Sequence, residues 1–313
     1  MSLLADFAAN TLIGIYFGSI LFMIAIGLTI IFGILGVLNL AHGELYAFGA
    51  FLGVTIMGYL FGFLTGTTIE GSVYLLVAGL FIAGVLVSAV VMLPIGYTIE
   101  ASLLRPVYER AEVYQLVLTY GILLVLHDVM KAIWGTRPIT ASEPYRFINR
   151  IPLTEVVGFS YPTYNVFVIV FNFGVFLGLM WFFDRTQTGR IIRATAINRE
   201  LAASLGVDTK RAFTFVFALG AFFAGFGGAL AAPPIQASLG MGIRPLIFAF
   251  VIIVIGGVGS IHGTYIAALI VGISSRWATW LYPPVELAAP FVIMILVLLV
   301  KPQGLFKSWG EYE

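Results

Sequence analysis

Apolar residues run in long, almost unbroken blocks along this chain, at residues 9–35, 44–64, 73–99, 114–134, 163–183, 212–232, 245–261, 263–281 and 285–301. Most reach the ~20 residues that an α-helix needs to cross a bilayer. Barrel strands alternate apolar and polar positions, whereas stretches such as 164–183 and 288–300 are nearly continuous in hydrocarbon. Helices are then the remaining way to satisfy the backbone in lipid. The pattern predicts an all-α integral membrane protein, a polytopic helical bundle of about eight or nine transmembrane segments with glycine-broken helices. The seventh and eighth segments are divided by Gly256-Gly257-Val258-Gly259-Ser260. No polar stretch is long enough for a soluble domain, so residues 1–313 read as a single transmembrane domain.

Composition agrees with the pattern. Of 313 residues, 60% are hydrophobic and 10% charged, against about 45–50% and about 25% in soluble domains. A water-soluble core of this composition could not be covered by so few charges, and the mean hydropathy is +1.05. The net charge of +1 gives no field that favours nucleic acid, and the lack of cysteine removes disulfides, thiolate catalysis and cysteine-held metals together. The first basic residue is Arg105. With no basic n-region, the first apolar segment is expected to stay rather than be cleaved as a signal.

Basic residues in short loops set the expected orientation. With the N-terminus outside, the inner side receives Arg105, Arg110, Arg185, Arg190, Arg193, Arg199, Lys210, Arg211, Lys301 and Lys307, and the outer side Lys131, Arg137, Arg146, Arg150, Arg244 and Arg276. The C-terminus then falls inside, and the polar loop 184–211 decides the assignment. The outer polar segment, 135–162, carries Pro138, Pro144, Pro152 and Pro162 and reads as an irregular cap. Residues 190–206 have good helix formers, no internal proline and a terminal glycine, and so predict one or two short helices.

Three polar groups interrupt the hydrocarbon. Asn39, His42, Gly43 and Glu44 stand between two apolar blocks with no Lys or Arg nearby. Ionisable groups at mid-membrane usually face a cavity or a partner, although a short wetted turn would explain them equally. A similar glycine-broken stretch returns at Gly256, Gly257, Gly259, Ser260, His262 and Gly263. Paired interruptions of this kind are the best sequence pointer to a transport site, and both are candidates for the gate or path lining. His127, Asp128 and Lys131 form the third group, with spacing that favours pairing near the outer boundary. Beyond these, Gly220, Ala224 and Gly228 make a small-residue stripe that suits close helix packing, or sliding, in lipid.

No phosphate-binding Gly-x-x-x-x-Gly-Lys-[Ser/Thr], no His-Glu-x-x-His and no Gly-x-Ser-x-Gly occurs, so nothing points to an enzyme. In the polar loop, Glu200-Leu201-Ala202-x-x-x-Gly206 resembles the coupling loop of ABC importer permeases. Residues 27–33 running on through 39–44, residues 193–206, the glycine-rich helix after them and the 256–263 turn together resemble the branched-chain amino-acid ABC transporter permeases, the LivH/LivM group, and within it the LivH-like half. That resemblance implies an inner-membrane importer subunit. Its partners would be a second, LivM-like permease, two cytoplasmic ABC ATPases and a periplasmic substrate-binding protein, with ATP and Mg held by the ATPases and no cofactor on this chain. It also implies that 184–211 is the ATPase-coupling loop, with Glu200, Ala202 and Gly206 carrying the contact and Arg193, Ala196 and Asn198 supporting it. Branched-chain amino acids head the expected substrates, with other amino acids, urea or amides and aromatic acids as alternatives. A secondary transporter or channel driven by intramembrane ionisable residues is the competing reading.

Overall fold

A computed structural model describes residues 3–62, 73–149 and 161–306. The apolar blocks become the helices α1 (Leu3–Leu35), α2 (His42–Gly62), α3 (Val73–Ile99), α4 (Glu112–Trp134), α6 (Thr163–Arg185), α9 (Thr209–Ala231), α10 (Ile243–Gly256), α11 (Ile261–Leu281) and α12 (Ala288–Val300). Short helices lie between them: α5 (Glu143–Ile148), α7 (Gln187–Ile197) and α8 (Arg199–Ser204). Among the described residues, six helices are long and apolar enough to cross a membrane. Valines, leucines and aromatics of α4, α6 and α12, among them Val117, Leu177, Trp181 and Leu299, point outward, as hydrocarbon solvent requires.

Two expected spans are shorter than the apolar runs that suggested them. α10 has 14 residues and α12 has 13, so each covers only about 20 Å. The cause in α10 is local: Gly257 and Gly259 take φ of +96° and +80°, a backbone that ends a helix however apolar its neighbours are. Before α12, Pro283 opens a 3₁₀ turn that delays helix entry. Among the described residues, the outer 135–162 cap contains α5 and a bridge from Ile139 to Ala237. Arg150 and Pro152 within it, Lys307 in the tail, and the end of the 44–64 block lie outside the described residues.

Packing centres on α9, whose small residues admit three neighbours. Gly27 of α1 meets Gly220, Gly49 of α2 meets Gly225, and Gly96 of α3 meets Ala221. The glycine stripe is thus a packing surface, the blander of its two readings. Phe171 of α6 stacks on Phe226 at 5.6 Å and 7°, closing the remaining side. Contacts of α1 with α11 and the turn before it step backwards, Gly14 on Ile273, Gly18 on Leu269, Gly33 on Gly259, so α1 and α11 are antiparallel. In the same way α9 runs antiparallel to α1 and α3 and parallel to α2. The C-terminal end of α1, the start of α9, and α7 and α8 therefore share one side of the bundle, called here the α8 side.

Candidate functional site

The interruption after α1 does not form a simple turn at the end of the bundle. His42 Nε2 lies 3.0 Å from the Ile24 carbonyl, eleven residues before the end of α1 and so about 16 Å back along its axis. A carbonyl can only accept, so Nε2 carries the proton. Gly36, with φ +69°, turns the chain out of α1, and residues 37–41 climb back into the bundle before α2 begins. Asn39 Oδ1 accepts from the Ala41 N–H at 3.1 Å and prepares that start. Asn39, His42 and Glu44 are all buried. Asn39 Nδ2, His42 Nδ1 and Glu44 Oε2 have no hydrogen-bond partner among the described residues. Buried polar atoms of this kind ordinarily find water or a ligand, and three of them gather at one helix start.

α10 begins at the same depth. A Cβ on Gly43 would lie 2.7 Å from the Gly242 carbonyl, so only glycine lets these two backbones touch. α2 and α10 leave this contact in opposite directions, because α10 ends at the Gly257–Gly259 turn against Gly33, at the α8-side end of α1. Glu44 Oε1 faces His127 Nδ1 of α4 at 3.5 Å. The third polar group therefore does not pair along its own helix: His127 turns inward to Glu44, while Asp128 and Lys131 stay exposed.

The second glycine-broken stretch is engaged in local capping and packing contacts. Ser260 caps α11 by accepting from the Gly263 N–H at 3.1 Å, and Gly256 abuts Gly263. Leu305 and Phe306 donate their N–H groups to the carbonyls of Ile255 and Gly256, so the chain after α12 seals this turn. His262 is exposed and packs edge-on against Phe176, unlike the buried His42. The two stretches sit at different depths, roughly 9 Å apart along α1 when measured from Gly27 to Gly33.

On the α8 side, the polar loop folds as two helices hinged at Asn198. Its Oδ1 accepts from the Leu201 N–H at 2.9 Å and caps α8. Gly206 at φ +86° ends it, with the Val207 N–H bonded to the Ala202 carbonyl, a glycine-terminated C-cap. Arg193 donates to Asp184 at 2.9 Å and ties α7 to the end of α6. Ala196, near the end of α7, packs partly buried against the core. Ala202 is 3% exposed, whereas Leu201 and Leu205 are 59% and 77% exposed. Being four apart, the two leucines share the outward face with the exposed Glu200. The alanine singled out in the sequence thus holds the helix against the bundle, and the leucines beside it form the free surface.

A further group was missed in the sequence. α3 ends in a π-helical turn, Glu100–Leu104, which presents the fully buried Glu100 carboxylate to Arg105 Nη2 at 3.0 Å, the Thr214 hydroxyl at 2.6 Å and the Tyr108 hydroxyl at 3.1 Å. Phe213, beside Thr214, meets Tyr108 edge-on at 5.6 Å and carries Arg199 of α8 over its ring at 4.7 Å. A continuous chain of contacts thus joins α8 to α9 and to the end of α3.

The branched-chain amino acid transport system permease component family matches residues 10–300. The chain belongs to this family. It is similar to the high-affinity branched-chain amino acid transport system permease protein LivH of Escherichia coli K12, 30% identical over 300 residues that cover 93% of this chain and 92% of that one. LivH of Salmonella typhimurium is 29% identical over the same shares. BraD of Pseudomonas aeruginosa is 28% identical over 93% of each chain. No solved structure matches. The chain is accordingly a multi-pass membrane permease subunit of a transport system, not an enzyme.

Proposed function

We propose that this permease imports branched-chain amino acids as half of a pore completed by a second, LivM-like permease, powered by two ATPases docked at α8 and fed by a periplasmic binding protein. The observation that carries the reading is the outward Leu201–Leu205 pair on a helix capped at both ends. An exposed apolar pair on a short, rigid helix suits insertion into a groove of a partner. The basic residues of 184–211 support a cytoplasmic α8 side, with the N-terminus outside and the C-terminus inside. Arg193, Ala196, Asn198, Ala202 and Gly206 hold the helix in place, and Glu200, Leu201 and Leu205 meet the ATPase. Movement of α8 would reach the spans through Arg199, Phe213, Tyr108 and Glu100. The path itself runs by Asn39, His42 and Glu44, closed at the Gly43–Gly242 contact. Gly256, Gly257, Gly259, Ser260 and Gly263 serve as a rigid floor under α10 and α11 rather than as a gate.

The contact of buried Glu44 with the partly exposed His127 is the feature that favours the rival reading, a transporter driven by ions. Co-purification separates the two. The partner ABC ATPases, co-expressed with this chain, should come down with wild type and be lost with Leu201→Arg/Leu205→Arg, while Tyr59→Arg, exposed on α2, retains them. Equal recovery, or none from wild type, overturns the docking assignment.

A further inference from the structure

Outside the Gly43–Gly242 contact, on the side opposite α8, lies a cavity of about 410 Å³. This is within the roughly 300–1,000 Å³ range of small-molecule sites. Tyr46, three residues after Gly43, and Met241 and Arg244, on either side of Gly242, line it. The cavity therefore stands directly above the closed contact, at the entrance to any path that would open there.

Its walls have two characters. Ile13, Phe17, Ile20 and Phe248 supply an apolar surface. Ser275, Arg276, Glu286 and its partner Arg244 supply the polar groups. Ser275 is 1% exposed and its hydroxyl has no partner among the described residues. Arg276 is braced by its Nε, which donates to Asn10 Oδ1 at 3.0 Å. Glu286 is paired with Arg244 through Oε1, which leaves Oε2 for a second cation. A fixed cation, a carboxylate and an unused hydroxyl beside an aliphatic wall match a molecule with an acid and an ammonium at one end and a hydrocarbon at the other.

We infer that this cavity is a binding site on the permease itself for a zwitterionic amino acid with an aliphatic side chain, held before the Gly43–Gly242 contact opens. The carboxylate sits at Arg276 and Ser275, the ammonium at Glu286 Oε2, and the side chain against Ile13, Phe17, Ile20 and Phe248. The inference rests on the importer reading for the direction of approach, but the site is defined by its own chemistry. Urea would leave the apolar wall unused, and an aromatic acid would leave Glu286 without a new partner.

The chain contains no cysteine, so Thr279→Cys places a lone, nearly isosteric thiol in the cavity lining, and Tyr59→Cys, exposed on α2, is a control. The complete assembly is reconstituted in vesicles, ATP-driven leucine uptake is recorded, and the rate of labelling of this chain by a small charged thiol reagent is followed. Leucine is expected to slow labelling at 279 but not at 59, and to do so better than its deaminated acid or its decarboxylated amine. Glu286→Gln should raise the half-protecting leucine concentration about tenfold or more and erase the preference over the deaminated acid. Arg276→Gln should remove protection by both. If leucine is taken up with ATP yet leaves labelling at 279 unchanged, the cavity is not the site and the importer reading survives. Protection by urea or an aromatic acid in place of leucine overturns the ligand class. If leucine is neither taken up nor protective, the importer reading and the site fall together.

Discussion

The α1–α11 crossing offers a calibrated test of the packing. A Cβ added to Gly18 would stand 2.6 Å from the Ala268 carbonyl oxygen and 3.0 Å from the Leu269 Cα. Ordinary contact begins at 3.4 Å, and both neighbours are backbone, so no side chain can swing away. The helices would have to separate by nearly 1 Å, and overpacking of this kind costs about 1–3 kcal/mol. Against it stands a gain of about 0.5–1 kcal/mol from replacing glycine by alanine inside a helix. Gly18→Ala should therefore destabilise by about 1–2 kcal/mol net. Gly174 on α6 has nothing within 4 Å of the same added atom, so Gly174→Ala should keep the gain alone. Thermal unfolding of the two variants in one detergent, followed by fluorescence-detected size exclusion, reads the difference. Gly18→Ala is expected to melt several degrees below wild type, and Gly174→Ala at or slightly above it. Equal melting temperatures would refute the close crossing.

Other consequences reach the coupling region. Asn198→Ala removes the α8 cap and should cost about 1 kcal/mol of local stability, seen as faster proteolysis within 199–206 and weaker ATPase recovery. Gly206→Ala has room for its methyl group but forces an L-residue to φ +86°, at about 1–2 kcal/mol; Gly206→Asn, which tolerates that conformation better, should recover most of the ATPase binding that Gly206→Ala loses. Glu100→Gln leaves Arg105, Tyr108 and Thr214 with a weaker acceptor. Because Arg105 is about a third exposed, its ion pair is screened, and the expected loss is about 1–2 kcal/mol. ATPase docking should survive in Glu100→Gln while ATP-driven uptake falls, and unchanged uptake would remove Glu100 from the coupling route.

Much of the fold was legible because lipid leaves so few options. Block length alone placed the long helices, and the 190–206 composition gave α7, α8 and the Gly206 terminus. Depth was not legible. Residues 39–44 read equally as a wet turn or a buried break, and only the His42–Ile24 contact shows that the chain climbs back into the bundle before α2 starts. The likeness of 39–44 to 256–263 did not reveal their different settings, since Ser260 and Gly263 are engaged in capping and His262 faces outward. Glu100 was passed over because a single acid after an apolar run reads as a span boundary; its three donors come from residues 5, 8 and 114 positions away. Leu201 and Leu205 were hidden for another reason. Which face of a six-residue helix is free depends on how Ala202 seats it, and that is tertiary information.

The central claim is that ATP on the α8 side drives an amino acid inward through this chain. The most direct measurement is uptake of radiolabelled leucine by vesicles containing the complete assembly, with ATP inside the compartment that α8 faces and ion gradients collapsed by ionophores. Accumulation that requires ATP and the binding protein, and that disappears with Leu201→Arg/Leu205→Arg, is the expected result. Uptake that persists without ATP and collapses with the ion gradient would contradict the account and shift the chemistry to Glu44 and His127.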